Sequence, residues 1–164
     1  MTVSPLVKVG MADLNTAVGE GAIRTTGLGS CVGVTLYDPV IKVAGMAHVM
    51  LPSSSIAREG ALNLAKFADT ALPELLARMD CLGAQRTRLV AKMAGGAQMF
   101  QFGKQTETMR IGPRNIEACR GILGTYGIPI VAEDTGGNYG RTIELDCATG
   151  KLSVRSAQNG SRDL

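Results

Sequence analysis

Cys31 and His48 are the two side chains whose types can together carry nucleophilic chemistry, and His48 is the only histidine in the chain. Cys31 ends the run Thr25-Thr26-Gly27-Leu28-Gly29-Ser30-Cys31, and His48 lies within Met46-Ala47-His48-Val49. A thiol attacks as thiolate, and an imidazole titrates near neutrality, so this pair can exchange a proton and form a covalent intermediate. The stretch CVGVTLYDPVIKVAGMAHVMLP reads as two strands joined at Asp38-Pro39-Val40-Ile41. A turn centred on Pro39 and Val40 sets Asp38 against Ile41, Val34 against Gly45 and Cys31 against His48. Directly opposed side chains on one face lie about 4.5–5.5 Å apart at Cβ, close enough for proton exchange. A slip of one residue would send the pair to opposite faces, so the expectation is specific about register.

Two neighbours extend the constellation. The glycine-rich turn before Cys31, with Gly29 and Ser30 as its last residues, can aim backbone N–H groups at an oxyanion. Thr25 ends the preceding strand and can orient the imidazole by a hydrogen bond. Nucleophile, base and orienter together are the logic of acyl transfer. Other motifs are weaker. Gly27-Leu28-Gly29-Ser30-Cys31-Val32 lacks the third glycine of a dinucleotide fingerprint, and no Walker A pattern occurs. Asp13, Glu133 and Asp134 read as solvated charges. Cys81, Cys119 and Cys147 read as small buried hydrophobes. With one histidine and no CxxC pair, no metal site is expected, and nothing in the sequence calls for a cofactor.

The elements that must position these residues follow from pattern. Strands are expected over 6–11, 23–26, 88–93 and 128–134, with a hairpin from 141–147 to 151–155. Apolar residues at Leu62, Ala65, Ala68, Leu72, Leu75, Leu76 and Met79 give a helical stripe over 56–79. Pro73 is expected to open a second helical segment, with Thr70 or Ala71 near its start, because proline suits a first turn. A further helix is expected over 114–125, with Ile116, Cys119, Ile122 and Leu123 inward. The class is mixed α and β in one domain over 1–155, and the polar segment 156–164 reads as a flexible tail.

Composition sets the outer bounds. The chain has 164 residues, 45% hydrophobic and 19% charged, which is ordinary for a globular domain with a real core. A net charge of +3, no tryptophan and 4% aromatic residues supply neither a basic footprint nor stacking platforms for nucleic acid. No apolar stretch reaches the roughly 20 residues that span a bilayer, and the N-terminus lacks a signal-peptide pattern. Direct membrane insertion is not expected. Four widely spaced cysteines fit a cytoplasmic protein with reduced thiols.

The run TTGLGSCVGVTLYDP, followed by AGMAHVMLP, resembles the chemoreceptor glutamine deamidase family, CheD. AKMAGGAQMF at 91–100, IGPRNIEA at 111–118 and VAEDTGGNYGRTIELDCATGKLSVR at 131–155 continue the resemblance in the same order. The resemblance implies a Cys–His–Thr hydrolase site on Cys31, His48 and Thr25. It also implies a layered α/β/β/α fold, similar to the catalytic domain of the deamidating cytotoxic necrotizing factor toxins. The implied substrates are glutamines on the cytoplasmic helices of methyl-accepting chemotaxis receptors, with glutamyl methyl esters chemically close. The implied second partner is a CheC-type phosphatase, and an adaptor that binds and stimulates that phosphatase is the alternative to an enzyme. The sequence departs from the family pattern at Ala94, where phenylalanine is usual, and at Pro113, where a charged residue is. Loss of the aromatic near Gly95 is expected to affect docking of a partner or substrate helix.

Overall fold

The computed structural model describes residues 5–56, 62–98 and 110–164. Among the described residues, ten strands form two five-stranded sheets. The first sheet has the order β1 (Leu6–Val9), β3 (Ala22–Leu28), β8 (Arg141–Asp146), β9 (Leu152–Ser156), β10 (Gly160–Asp163). The second has the order β2 (Leu14–Val18), β5 (Val43–Val49), β4 (Val32–Asp38), β6 (Val90–Gly95), β7 (Ile130–Thr135). Two α-helices, α1 (Ala68–Cys81) and α2 (Ile111–Thr125), complete the regular structure among the described residues.

Burial patterns explain the layering. Every residue of β4 and β5 is buried, so their near-continuous apolar runs belong to a sheet covered on both faces. Val32, Val34, Leu36, Val43, Ala47 and Val49 meet the helices. Tyr37, Ala44 and Met46 pack instead with Leu28 and Ile143 of the first sheet. That first sheet alternates: Ile23, Ile143, Leu145 and Val154 point inward, while Arg24, Glu144 and Arg155 lie on its outer side. Such alternation is the mark of a sheet with one face in water.

The mixed α+β class with two stacked sheets agrees with the sequence. The helical layer differs in placement. Both α1 and α2 pack on the β2-β5-β4-β6-β7 sheet, and among the described residues no α-helix covers the outer face of the other. The expected layer of helices on each outer side is therefore present on one side, because the charged residues facing out from β3, β8 and β9 leave no apolar face to cover.

Five local features differ from expectation. Helix α1 runs through Pro73, which lies inside it. The missing N–H forfeits one helical hydrogen bond, while burial of Leu72, Leu75, Leu76 and Met79 holds the helix together. The earlier part of the expected stripe falls partly on 57–61, outside the described residues, and on short 3-10 turns at Ser54–Ile56 and Leu64–Lys66. Residues expected as a flexible tail instead form β10, which pairs with β9, and Leu164 exchanges backbone hydrogen bonds with Leu152. Strand β2 was not expected, since LNTAV is short and only half apolar. Asp134, read as a solvated charge, is largely buried against Arg141 at 3.1 Å.

The hairpin that carries His48 also differs. Asp38 pairs with Val43 and Gly33 with His48, so the register is displaced by two residues from the expected one. The turn is longer because the Asp38 carboxylate organises it. It accepts from the Val40 amide at 3.0 Å and the Gln85 amide at 3.1 Å, and pairs with Arg88 at 2.8 Å. Lys42 closes the turn in the left-handed region at φ 55°, its amide donating to the Asp38 carbonyl. A displacement of two preserves the face, since side chains alternate with period two.

Candidate active site

The β3–β4 connection crosses from the first sheet to the second, and Cys31 sits on that crossing, just before β4 begins. Gly33, not Cys31, stands directly opposite His48, so Cys31 is a diagonal neighbour of the imidazole across the β4–β5 pair. Diagonal pairs on one face remain within reach of longer side chains. Cys31 packs in the layer between the sheets with Ala44 and Met46, the residues that alternate onto the His48 face of β5. Gly33 contributes no side chain there. A Cβ on it would come within 2.6 Å of Ile143 Cδ1 and 3.0 Å of Leu28 Cδ1.

Thr25 approaches from the first sheet. Its hydroxyl lies 2.7 Å from the Val9 carbonyl and 2.7 Å from His48 Nδ1. A threonine hydroxyl has one proton, and the carbonyl can only accept, so Thr25 donates to Val9 and accepts from Nδ1–H. That assignment leaves the lone pair of the imidazole on Nε2. His48 Nε2 is buried and has no hydrogen-bond partner among the described residues. The His48 backbone is fixed by its amide donating to the Asp13 carbonyl at 2.9 Å.

Burial pushes the Cys31 thiol up, offset in part by its own backbone N–H, and burial pulls His48 down. Both shifts favour the neutral thiol and neutral imidazole, because desolvation penalises each charged form.

The turn before Cys31 is held at three consecutive carbonyls. Gly29 O accepts from the Ala97 amide at 2.8 Å, Ser30 O from Asn115 Nδ2 at 3.0 Å, and Cys31 O from the Gly96 amide at 2.8 Å. The Gly29 amide is already committed to the Gly27 carbonyl at 3.1 Å. Of the turn residues expected to face an oxyanion, Ser30 therefore keeps a free amide among the described residues and Gly29 does not. Close packing explains the paired glycines at the end of β6. A Cβ on Gly95 would stand 2.3 Å from Cys31 O, and one on Gly96 would stand 2.3 Å from Ile116 Cγ1.

Asn115 was missed by the sequence reading. It is fully buried on α2 and also donates to Met50 O at 2.9 Å. The available signal was its place on the inward stripe with Ile116 and Cys119, where a polar residue is out of pattern.

The remaining expectations fall elsewhere. Cys119 and Cys147 are buried, whereas Cys81 at the end of α1 is exposed; all four thiols are free. Ala94 is fully buried opposite Gly33, so this departure fills core between the sheets and offers no docking surface. Pro113 lies in the first turn of α2, where its missing N–H leaves no helical bond unmade, and it lines a surface hollow with Gly96, Gln98 and Gly137. Among the described residues no group of three or more His, Cys, Asp or Glu is arranged to hold a metal ion.

Comparison with known proteins bears on this arrangement. Residues 50–156 match the family model "CheD chemotactic sensory transduction". A protein of Halalkalibacterium halodurans named "Chemoreceptor glutamine deamidase CheD" is 55% identical over 159 residues, covering 97% of this chain and 98% of its own. Proteins of Lachnoclostridium phytofermentans and Geobacillus kaustophilus, both named "Probable chemoreceptor glutamine deamidase CheD", are 52% and 48% identical. They cover 92% and 100% of this chain, and 93% and 100% of their own. The family model begins beyond His48, but the whole-length relatives extend across the segment that carries Thr25, Cys31 and His48. With a family model over most of its length and relatives this close end to end, the chain belongs to the CheD family.

Proposed function

We propose that this protein is a chemoreceptor glutamine deamidase with Cys31 as nucleophile, His48 as general base and acid, and Thr25 as the residue that orients His48. The observation that carries the reading is the Thr25–His48 hydrogen bond. It places the imidazole proton on Nδ1 and leaves a buried, unpartnered Nε2 in the layer that Cys31 enters. The names of the relatives supply the substrate class.

His48 Nε2 takes the Cys31 proton as sulfur bonds to the side-chain carboxamide carbon of a receptor glutamine. The carbonyl π pair moves onto oxygen, and the amides of Ser30 and Cys31 donate to that oxyanion. The imidazolium then gives its proton to nitrogen, the C–N bond breaks, and ammonia leaves a thioester. Water loses a proton to His48 and adds to the thioester. The C–S bond breaks, the proton returns to sulfur, and the product is glutamate. Burial disfavours both the thiolate and the imidazolium, which supports proton transfer in step with attack. Glutamyl methyl esters fit the same sequence with methanol as leaving group.

The substrate glutamine belongs to the cytoplasmic helices of a methyl-accepting chemotaxis receptor, and the protein acts in the cytoplasm. No described helix is long and apolar enough to cross a membrane. A CheC-type phosphatase is the second proposed partner, on the resemblance alone. Ammonia release from a purified receptor cytoplasmic fragment tests the reading. Release that depends on the added protein supports it. A cognate fragment that yields no ammonia contradicts it.

A further inference from the structure

We infer that Asn115 is a positioning residue for the oxyanion donor at Cys31, an inference that rests on the deamidase reading above. Asn115 is fully buried, and its single Nδ2 group donates to two carbonyls, Ser30 O at 3.0 Å and Met50 O at 2.9 Å. Ser30 precedes the nucleophile, and Met50 follows the strand that carries the base. One side chain on α2 thus ties together the two chain segments that must stay in register for proton transfer.

The peptide unit explains the consequence. Peptide bonds here are trans, so the carbonyl of Ser30 and the amide of Cys31 point in opposite directions across one rigid plane. Fixing the Ser30 carbonyl on Asn115 turns the Cys31 amide away from α2. That amide nitrogen is three covalent bonds from the nucleophilic sulfur of the same residue, so it lies beside the reacting atom whatever the rotamer. Among the described residues it has no other acceptor. A free N–H beside the nucleophilic sulfur, with its plane locked from behind, is the geometry of an oxyanion donor.

Helix α2 is held close enough for this reach by glycine. A Cβ on Gly112 would stand 2.2 Å from Ala97 O and 2.6 Å from Gly96 O, so only glycine lets the helix start against the loop that also holds Cys31. The Gly96 and Ala97 amides secure the carbonyls on either side of Ser30 O. Asn115 supplies the middle contact, and its contribution can be removed by a single side-chain change.

The test uses the full chain with Asn115→Ala, and Asn115→Asp alongside because it keeps the side-chain shape. Four readouts are taken: thermal melting, kcat and KM for receptor deamidation, and the rate at which iodoacetamide alkylates Cys31. Alkylation displaces iodide and builds no oxyanion, so it reports the thiol alone. In a variant that melts as a folded protein, kcat should fall about 100-fold, the scale of a small misplacement at a reacting centre, with KM and alkylation unchanged. Wild-type kcat in a folded variant would overturn the inference. So would alkylation that falls in step with kcat, or failure of both variants to fold, either of which would make Asn115 a purely structural residue. Failure of wild-type protein to deamidate the receptor would strike the deamidase reading itself and is a separate result.

Discussion

Thr25 Oγ1 lies 2.7 Å from His48 Nδ1 while its only proton goes to the Val9 carbonyl, so the threonine fixes both the tautomer and the orientation of the imidazole. The contact spans the two sheets, from β3 to β5, and the His48 imidazole is therefore set by how the sheets stack. Thr25→Val keeps the shape and loses the acceptor. It should lower kcat for deamidation roughly 10- to 100-fold, the value of one buried hydrogen bond. Thr25→Ser should retain most of the rate. Single-turnover deamidation kinetics check both, and a wild-type rate in Thr25→Val would remove Thr25 from the mechanism.

The pH profile should be shifted to acid on its lower limb. His48 must be neutral to accept the thiol proton, and burial lowers its pKa. The base form therefore persists below the ordinary histidine value of about 6.5. Activity should fall only as pH drops through that lowered value. Iodoacetamide alkylation of Cys31 in the free protein should rise with pH through a value above the ordinary thiol, since burial raises its pKa. A thiolate already formed at neutral pH would contradict the neutral resting pair.

Asp38 and Arg88 set the register that delivers His48. Burial by itself would raise the Asp38 pKa, but the Arg88 guanidinium and the amides of Gln85, Val40 and Ile41 bring it down to about 2. Its contribution to stability is whole above the ordinary carboxylate range and is lost as pH falls from there through about 2. Arg88→Met leaves a buried, unpaired carboxylate and should destabilise the fold by about 2 kcal/mol or more. Denaturant unfolding at neutral pH measures the loss, which should shrink in acid as Asp38 protonates.

Gly112→Ala should force α2 off the loop, because the new methyl would meet backbone oxygens and not a movable side chain. A cost of about 1–3 kcal/mol is expected for such overpacking. Deamidation should fall with it, since Asn115 rides on the same helix. Thermal melting and turnover, measured together, check the coupling; an unchanged melting temperature would mean that the helix can move freely.

The family and the side chains of the candidate site were legible in the sequence, and their geometry only in part. Cys31, His48 and Thr25 stand out by residue type and by the glycine-rich turn. Their faces follow from period-two alternation, which survives a displacement of two residues. The true register did not follow from local signals. It depends on the Asp38–Arg88 pair, whose members lie on different elements of the fold. Asn115 was hidden for the same reason, as its partners Ser30 and Met50 are remote in sequence. Pro73 misled because tertiary burial of α1 outweighs one missing hydrogen bond. The tail misled because β10 is exposed and polar, and its pairing with β9 leaves no apolar pattern to read.

The most direct test of the central claim is the intact mass of a receptor cytoplasmic fragment after incubation with wild-type protein or with Cys31→Ala. Deamidation through Cys31 predicts a gain of about one dalton per modified glutamine with wild type and none with the variant. An equal gain with Cys31→Ala, or no gain from wild type on its cognate receptor, would contradict the account.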